Sequence, residues 1–403
     1  MKYIVILGDG MAGHPIDSLG GKTTLQATHK PAMDALAAAG RSGMLETVPE
    51  GFTPGSEIAN LAVMGYDVRK VFEGRGSLEA ASMGVEIEAG EMAMRCNIIC
   101  IEDEKIKNHS AGHISNEEAY ELIDALQAEL GDDVVSFHKG ISYRHLLKIK
   151  GGDKSLKCTP PHDVPGTPFM DVMIEATEAK GEDTAKLLNE LTIKSQEILK
   201  RHPVNLRRAA EGKDMANSIW AWSPGYKPQM ETMQQKYSNI KSGVVISAVD
   251  LIKGIGVYAG LEPVAVEGAT GLYDTNYEGK VAATIEAIKS HDFVYLHIEA
   301  SDEAGHEGDI ELKCRTIEYL DQRVVAPIMA AVAQMSEPVT IAMLPDHPTP
   351  CELRTHTRES VPFVIWNPLH EADSVMAYDE ESAKGGAYGE LSTVEFMDEL
   401  LKE

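Results

Sequence analysis

Asp292–Ile298 reads D-F-V-Y-L-H-I and runs directly into Glu299–Asp309, E-A-S-D-E-A-G-H-E-G-D. The first segment is a short apolar run without helical periodicity, which predicts a buried strand. The second packs five carboxylates and a histidine into eleven residues. A buried strand that ends in such a burst is expected to end at a site. If a helix starts near Ser301, Asp302 and His306 stand four apart on one face. Asp-x-x-x-His is half of a divalent-cation site or a solvated helix cap, and the spacing does not choose between them. The missing ligands have to come from elsewhere in the chain.

Composition narrows the choice. The chain has 403 residues, 43% hydrophobic and 25% charged, as in ordinary soluble globular proteins. That length accommodates two domains, or one large domain with an insertion. Its net charge of −26 argues against a nucleic-acid partner or an anionic membrane surface. An anionic substrate would need local positive charge or a metal. No run of about 20 apolar residues exists, so no membrane span is expected. The opening M-K-Y-I-V-I-L-G-D-G reads as a buried first strand, because Asp9 follows only five apolar residues, Tyr3–Leu7. Five cysteines without C-x-x-C spacing fit free thiols in a reducing, cytoplasmic setting.

Other strand ends supply candidates. Tyr3–Leu7 leads into Gly8-Asp9-Gly10-Met11-Ala12-Gly13, formally G-x-G-x-x-G. A dinucleotide site is rejected, since Asp9 would repel a pyrophosphate and no helix opens after Gly13. A carboxylate on a Gly-Asp-Gly turn suits a metal, with a plain turn as the alternative. Gly20-Gly21-Lys22-Thr23 lacks the earlier glycine of a phosphate loop, position 16 being Ile. Leu344-Pro345-Asp346-His347 follows the apolar run Val339–Met343, and His356 comes nine residues later. Pro54-Gly55-Ser56 places Ser56 at the start of a helix running to about Met64. There it is either an N-cap or a nucleophile in positive potential. Asp9, Asp302 and Asp346 with His306, His347 and His356 form mixed oxygen and nitrogen sets. These suit Mn²⁺ or Zn²⁺ more than Ca²⁺; Co²⁺ and Mg²⁺ overlap in preference.

The expected fold is α/β: a mostly parallel sheet with helices on both faces, interrupted by an inserted α+β cap. Strands are expected at Tyr3–Leu7, Ser42–Val48, Gly243–Ile246, Val264–Ala265, Phe293–Ile298 and Thr340–Leu344. Helices are expected at Pro31–Ala39, Val249–Val257, Tyr277–Ser290 and Leu312–Met335. Between them, strand–helix–strand–strand–helix over Arg95–Arg201, with a final strand near Ser218–Trp222, has ferredoxin-like order. The domains are therefore expected at 1–90 with 225–403, and at 91–224.

Several longer stretches resemble one family. They are G-D-G-M-A (Gly8–Ala12), G-G-K-T-T-L (Gly20–Leu25), V-P-E-G-F-T-P-G-S-E (Val48–Glu57) and N-L-A-V-M-G-Y-D (Asn60–Asp67). Further on come R-C-N (Arg95–Asn97), S-A-G-H-I-S (Ser110–Ser115), P-P-H-D (Pro160–Asp163), A-V-D-L-I-K-G (Ala248–Gly254), E-A-S-D-E-A-G-H (Glu299–His306) and D-H-P-T-P (Asp346–Pro350). Over nearly the whole chain this resembles the archaeal-type cofactor-independent phosphoglycerate mutases of the alkaline phosphatase superfamily.

The resemblance implies an alkaline-phosphatase-like core and two divalent ions, with no 2,3-bisphosphoglycerate. Asp302, His306 and His356 would hold one ion, and Asp9, Asp346, His347 and the Ser56 oxygen the other. Ser56 would carry a phosphoserine between 2- and 3-phosphoglycerate. His162 and Asp163 resemble the family's acid/base pair. Arg95, Arg144 and Lys280 are candidate grips on the substrate's anionic groups, and Asn217 a further contact. Two departures stand out: His14 where the family turn often has an acidic or aromatic residue, and P-G-S-E in place of P-G-S-D. The same motifs also resemble a proposed homoserine kinase branch, and a phosphatase would share the fold.

Overall fold

In a computed structural model, which describes residues 1–402, the chain divides into two compact units, Met1–Phe72 with Gln229–Glu403, and Glu73–Pro228. The first is built on an eight-stranded sheet. Its order is Glu262–Pro263, Gly243–Ile246, Phe293–Ile298, Lys2–Gly8, Val339–Leu344, Val361–Trp366, Arg41–Leu45 and Gly389–Leu391. All neighbours are parallel except the two pairings of Val361–Trp366, which is antiparallel. The three central strands are buried on both faces, which is why they read as unbroken apolar runs.

Register positions the segments that leave these strands. Leu7 pairs with both His297 and Leu344, and Gly8 with Ile298. The three chains therefore leave the sheet at the same edge, and Asp9, Glu299 and Asp346 emerge side by side. This is the carboxyl edge where open parallel sheets gather their ligands.

Most expected elements form at or within a few residues of their places. The strand expected at Val264–Ala265 lies earlier, at Glu262–Pro263, on the sheet edge, where a proline without an N–H is tolerated. The single helix expected over Leu312–Met335 is three pieces: α over Ile310–Leu320, a π turn over Asp321–Val325, and α over Ala326–Val332. Pro327 follows that wide turn, which spares its ring the clash an unbroken α-helix would impose. The strands Val361–Trp366 and Gly389–Leu391 had no sequence expectation.

The second unit is a ferredoxin-like α+β fold. Ser218–Gly225, Glu91–Glu102, Arg144–Lys150 and Val135–Ile141 form an antiparallel sheet in that order, with Lys105–Asn108 added beside the end of Glu91–Glu102. Met92, Met94, Cys96 and Ile98 face a core that also takes side chains of the helices Asn116–Leu130 and Glu182–Arg201. The strand period of two sends Arg95, Asn97 and Ile99 to the other face. The helix Arg75–Ser82, expected with the first unit, lies in this one: Ala80 packs with Ala93 and Leu146, and Glu79 pairs with Arg95 at 3.3 Å.

Candidate active site

The helix after Phe293–Ile298 spans Ala300–Glu307, so Asp302 and His306 do share a face. His306 Nε2 lies 3.2 Å from Asp302 Oδ2, and His356 Nε2 lies 3.4 Å from Asp302 Oδ1. The two imidazoles meet Nε2 to Nε2 at 2.9 Å. His306 Nδ1 bonds the carbonyl of Arg354 at 3.0 Å, which leaves Nε2 as the free donor atom.

Beside this trio stands a second set. Asp346 is buried; its Oδ1 accepts the N–H of Gly10 (3.2 Å) and of His347 (2.9 Å), and its Oδ2 accepts from Asn60 (2.9 Å). His347 Nε2 lies 3.4 Å from Asp346 Oδ2, 3.7 Å from Asp9 Oδ1 and 3.2 Å from Ser56 Oγ. The rings of His347 and His356 stack with centroids 3.9 Å apart, joining the two sets.

Ser56 is the first residue of the helix Ser56–Val63, and Gly55, not Ser56, is its N-cap. The hydroxyl instead faces His347, which removes the capping alternative. Glu57 folds back over Gly55: a Cβ on that glycine would meet its Oε2 at 3.0 Å.

The electrostatics describe a site overfilled with carboxylates. Burial, then Asp346 and Asp302, push the Asp9 carboxyl well above its usual range. Burial also raises Glu299, to about 8, with Asp302 adding to it. Burial would raise Asp302 too, but hydrogen bonds from His306 and His356 hold it well below. The bond to Asp302 lifts His306 to about 9. Asp9 Oδ1 is buried with no hydrogen-bond partner. Converging imidazole nitrogens and an orphaned buried carboxylate oxygen fit divalent cations bound by mixed oxygen and nitrogen ligands. Two donor groups, Asp302–His347–His356 and Asp9–Asp346–His347, each have ligand atoms within 4.8 Å of one another.

A third such group, Asp9–His297–Glu299, was not anticipated. Both His297 nitrogens are engaged, Nε2 with Asp9 Oδ2 at 2.8 Å and Nδ1 with Ser247 Oγ at 3.1 Å. Burial drives this imidazole down to about 3, so it is neutral. Tyr295, two residues earlier on the same strand face, donates to Asn60 Oδ1 at 2.7 Å. Polar atoms at positions i and i+2 inside an otherwise apolar strand were the signal that sequence reading passed over.

Two substrate-contact expectations are corrected. Lys280 belongs to the first unit and is 1% exposed; its ammonium bonds the His297 carbonyl at 3.4 Å and faces Glu299. Burial lowers it to about 8, and it presents no surface to a substrate. Asn217 spends both ends of its amide on the backbone of Ile101, at 2.8 and 2.7 Å, and so closes a strand edge. Arg95 and Arg144 do lie with His162 in one cationic cluster. Arg95 sits over the Trp222 ring at 4.3 Å, and the His162 ring lies 5.4 Å from Trp222. Burial lowers Arg95 to about 10 and pulls His162 below the usual imidazole range. His162 Nε2 is 3.6 Å from Asp163 Oδ1. Arg75 adds positive charge to both Arg95 and His162, a neighbour no motif had suggested.

His14, the departure from the family turn, bridges Glu352 (2.8 Å) and Glu359 (2.9 Å). In the G-G-K-T segment, Thr23 caps the short helix Thr24–Ala27 and donates to Glu380 at 2.7 Å, so a carboxylate stands where a phosphate would go.

Fold and site together define an α/β protein whose mostly parallel sheet gathers metal-type donors at its carboxyl edge, with a ferredoxin-like α+β unit inserted in the chain. The family model for 2,3-bisphosphoglycerate-independent phosphoglycerate mutase matches residues 37–205. A protein of that name from Methanosarcina acetivorans is 50% identical, over 100% of both chains. Among solved structures, a Pyrococcus horikoshii protein superposes with a TM-score of 0.84 at 28% identity, covering 99% of this chain and 96% of that one. The cofactor-independent phosphoglycerate mutase of Thermoplasma acidophilum does so with 0.69 at 25%, covering 100% and 99%. The chain belongs to the 2,3-bisphosphoglycerate-independent phosphoglycerate mutase family.

Proposed function

We propose that the protein interconverts 2- and 3-phosphoglycerate through a phosphoserine at Ser56, assisted by two divalent cations and without added 2,3-bisphosphoglycerate. The observation that carries this reading is Ser56 Oγ standing 3.2 Å from His347 Nε2, at a helix N-terminus beside two sets of metal-type donors. Asp302, His306 and His356 would hold one cation, and Asp9, Asp346, His347 and Ser56 Oγ the other. When bound, such cations offset the negative charge of the transferring group and of the serine oxygen.

The protein's own groups do the rest. The helix Ser56–Val63 directs its free N–H groups at the phosphoryl oxygens. Ser56 Oγ takes the phosphoryl group from one glycerate hydroxyl and returns it to the neighbouring one. Arg95 and Arg144 are proposed to recognise the substrate's anionic groups, with the unit Glu73–Pro228 as the substrate-binding cap. His162, kept neutral by partial burial, would move protons between the glycerate hydroxyls, oriented by Asp163. Among the described residues no helix is long and apolar enough to cross a membrane. The free cysteines support a reducing, cytoplasmic placement.

The test is turnover of 3-phosphoglycerate by wild type and Ser56→Ala with Mn²⁺ present. Loss of at least ~10³-fold in rate, with bound Mn²⁺ largely retained, is expected for a covalent nucleophile. Substantial activity in Ser56→Ala removes the phosphoserine. ATP-dependent phosphorylation of homoserine without mutase activity, or plain phosphate release from many esters, would replace the mutase with a kinase or a phosphatase.

A further inference from the structure

Thr349 touches both sets of donors and belongs to neither. It lies in D-H-P-T-P, flanked by Pro348 and Pro350, and is fully buried. Its Oγ1 is 2.5 Å from Asp302 Oδ1 and 3.3 Å from His347 Nδ1. Its backbone is pinned as well: the N–H donates to Ala12 O at 3.1 Å, and the carbonyl accepts from the buried Lys313 ammonium at 2.7 Å. Two glycines leave it room. A Cβ on Gly10 would meet Thr349 Oγ1 at 2.7 Å, and one on Gly305 would meet the Thr349 carbonyl at 2.5 Å.

Proton counting turns this contact into an assignment. A threonine hydroxyl has one proton to give and lone pairs to accept with. The hydroxyl donates to Asp302 Oδ1, which commits its only proton. The Thr349 oxygen, 3.3 Å from His347 Nδ1, then has only lone pairs left to offer that ring, and the contact is a hydrogen bond when His347 carries its proton on Nδ1. The opposite nitrogen, Nε2, is left with a bare lone pair. That is the atom facing Ser56, Asp346 and Asp9. One hydroxyl thus orients a carboxylate of the first set and selects the tautomer of an imidazole in the second.

We propose that Thr349 is a positioning residue that locks His347 as the Nδ1–H tautomer while aiming Asp302, and so couples the two cation sites. The usual outer partner of a ligating histidine is a carboxylate or carbonyl serving one ligand. Here a single neutral hydroxyl serves two, so ordering of Asp302 by one cation also orders the His347 ring that meets the other. The inference rests on the two-cation reading, and its test separates the two.

Long-range ¹H–¹⁵N NMR on metal-free wild type reads the His347 tautomer without any cation. A proton on Nδ1 is expected, and a proton on Nε2 overturns the proposal whether or not a variant folds. Mn²⁺ titration calorimetry then compares wild type, Thr349→Val and Thr349→Ser. Valine keeps the shape and loses the hydroxyl; Mn²⁺ affinity should fall about 10–100-fold, while serine stays within about threefold of wild type. Valine binding as tightly as wild type, or serine binding as weakly as valine, refutes the coupling role. Wild type that takes up no Mn²⁺ removes the two-cation reading instead, and the tautomer measurement still decides the hydroxyl's part.

Discussion

Asp302→Asn isolates the charge that organises the first histidine pair. In the metal-free protein the Asp302 hydrogen bond is the main cause that lifts His306 from 6.5 to about 9; burial opposes it. Without that carboxylate only the Arg354 carbonyl and Glu303 still oppose burial, so the His306 midpoint should drop by about two pH units, towards the ordinary imidazole value. The linkage has a definite sign. Below pH 6.5 the ring is protonated in folded and unfolded chains alike, and the pairing stabilises fully. As pH rises through about 9 the folded ring loses its proton and that stabilisation disappears. The full interval is worth about 3 kcal/mol. Because the His306 side chain is 35% exposed, solvent screening reduces this to roughly 1–2 kcal/mol. The assay is an imidazole NMR titration of wild type and Asp302→Asn after chelation, repeated with Zn²⁺. In the Zn²⁺ form the wild-type His306 should not titrate, its Nε2 lone pair being engaged. A variant midpoint still near 9, or an unchanged titration with Zn²⁺, refutes the reasoning.

Gly10 and Gly20 form a matched pair, both with positive φ, +62° and +70°. Alanine at Gly20 meets nothing within 4 Å and should cost only the ~1–2 kcal/mol of the left-handed conformation, whereas alanine at Gly10 strikes Asp302 Oδ1 at 2.6 Å and Thr349 Oγ1 at 2.7 Å and should cost about 2–5 kcal/mol and weaken Mn²⁺ binding. Equal losses on denaturant unfolding would contradict the packing argument. In the second unit, burial keeps His145 neutral down to about 4; its Nδ1 accepts from Gly140 at 3.1 Å and its Nε2 has no hydrogen-bond partner. The unfolded histidine takes its proton near 6.5, so the stabilisation is full above that pH and is lost as pH falls towards 4. Between pH 7.5 and 5 this group should remove about 2 kcal/mol of stability, a slope that His145→Gln abolishes in urea unfolding.

Elements that carry local signals were legible in the chain alone. Unbroken apolar runs marked the three central strands, four-residue spacing placed Asp302 and His306 on one face, and the strand–helix–strand–strand–helix order marked the insertion. Asp9, Asp302, His306, Asp346 and His347 also stood out as ligand candidates, because they follow strand ends; His356 did not share that signal. What the sequence could not resolve were properties of pairs of distant atoms. Only parallel register brings Asp9 and Asp346 to the same edge, across 337 residues of chain. Only packing shows Lys280 buried beneath His297 and Asn217 spent on Ile101, where composition allowed both a surface. His297 and Thr349 read as core filler, since a strand histidine and a loop threonine have no local signature. Their roles arise from which neighbour holds the matching donor or acceptor, and proton accounting of that kind begins only when the tertiary fold has closed.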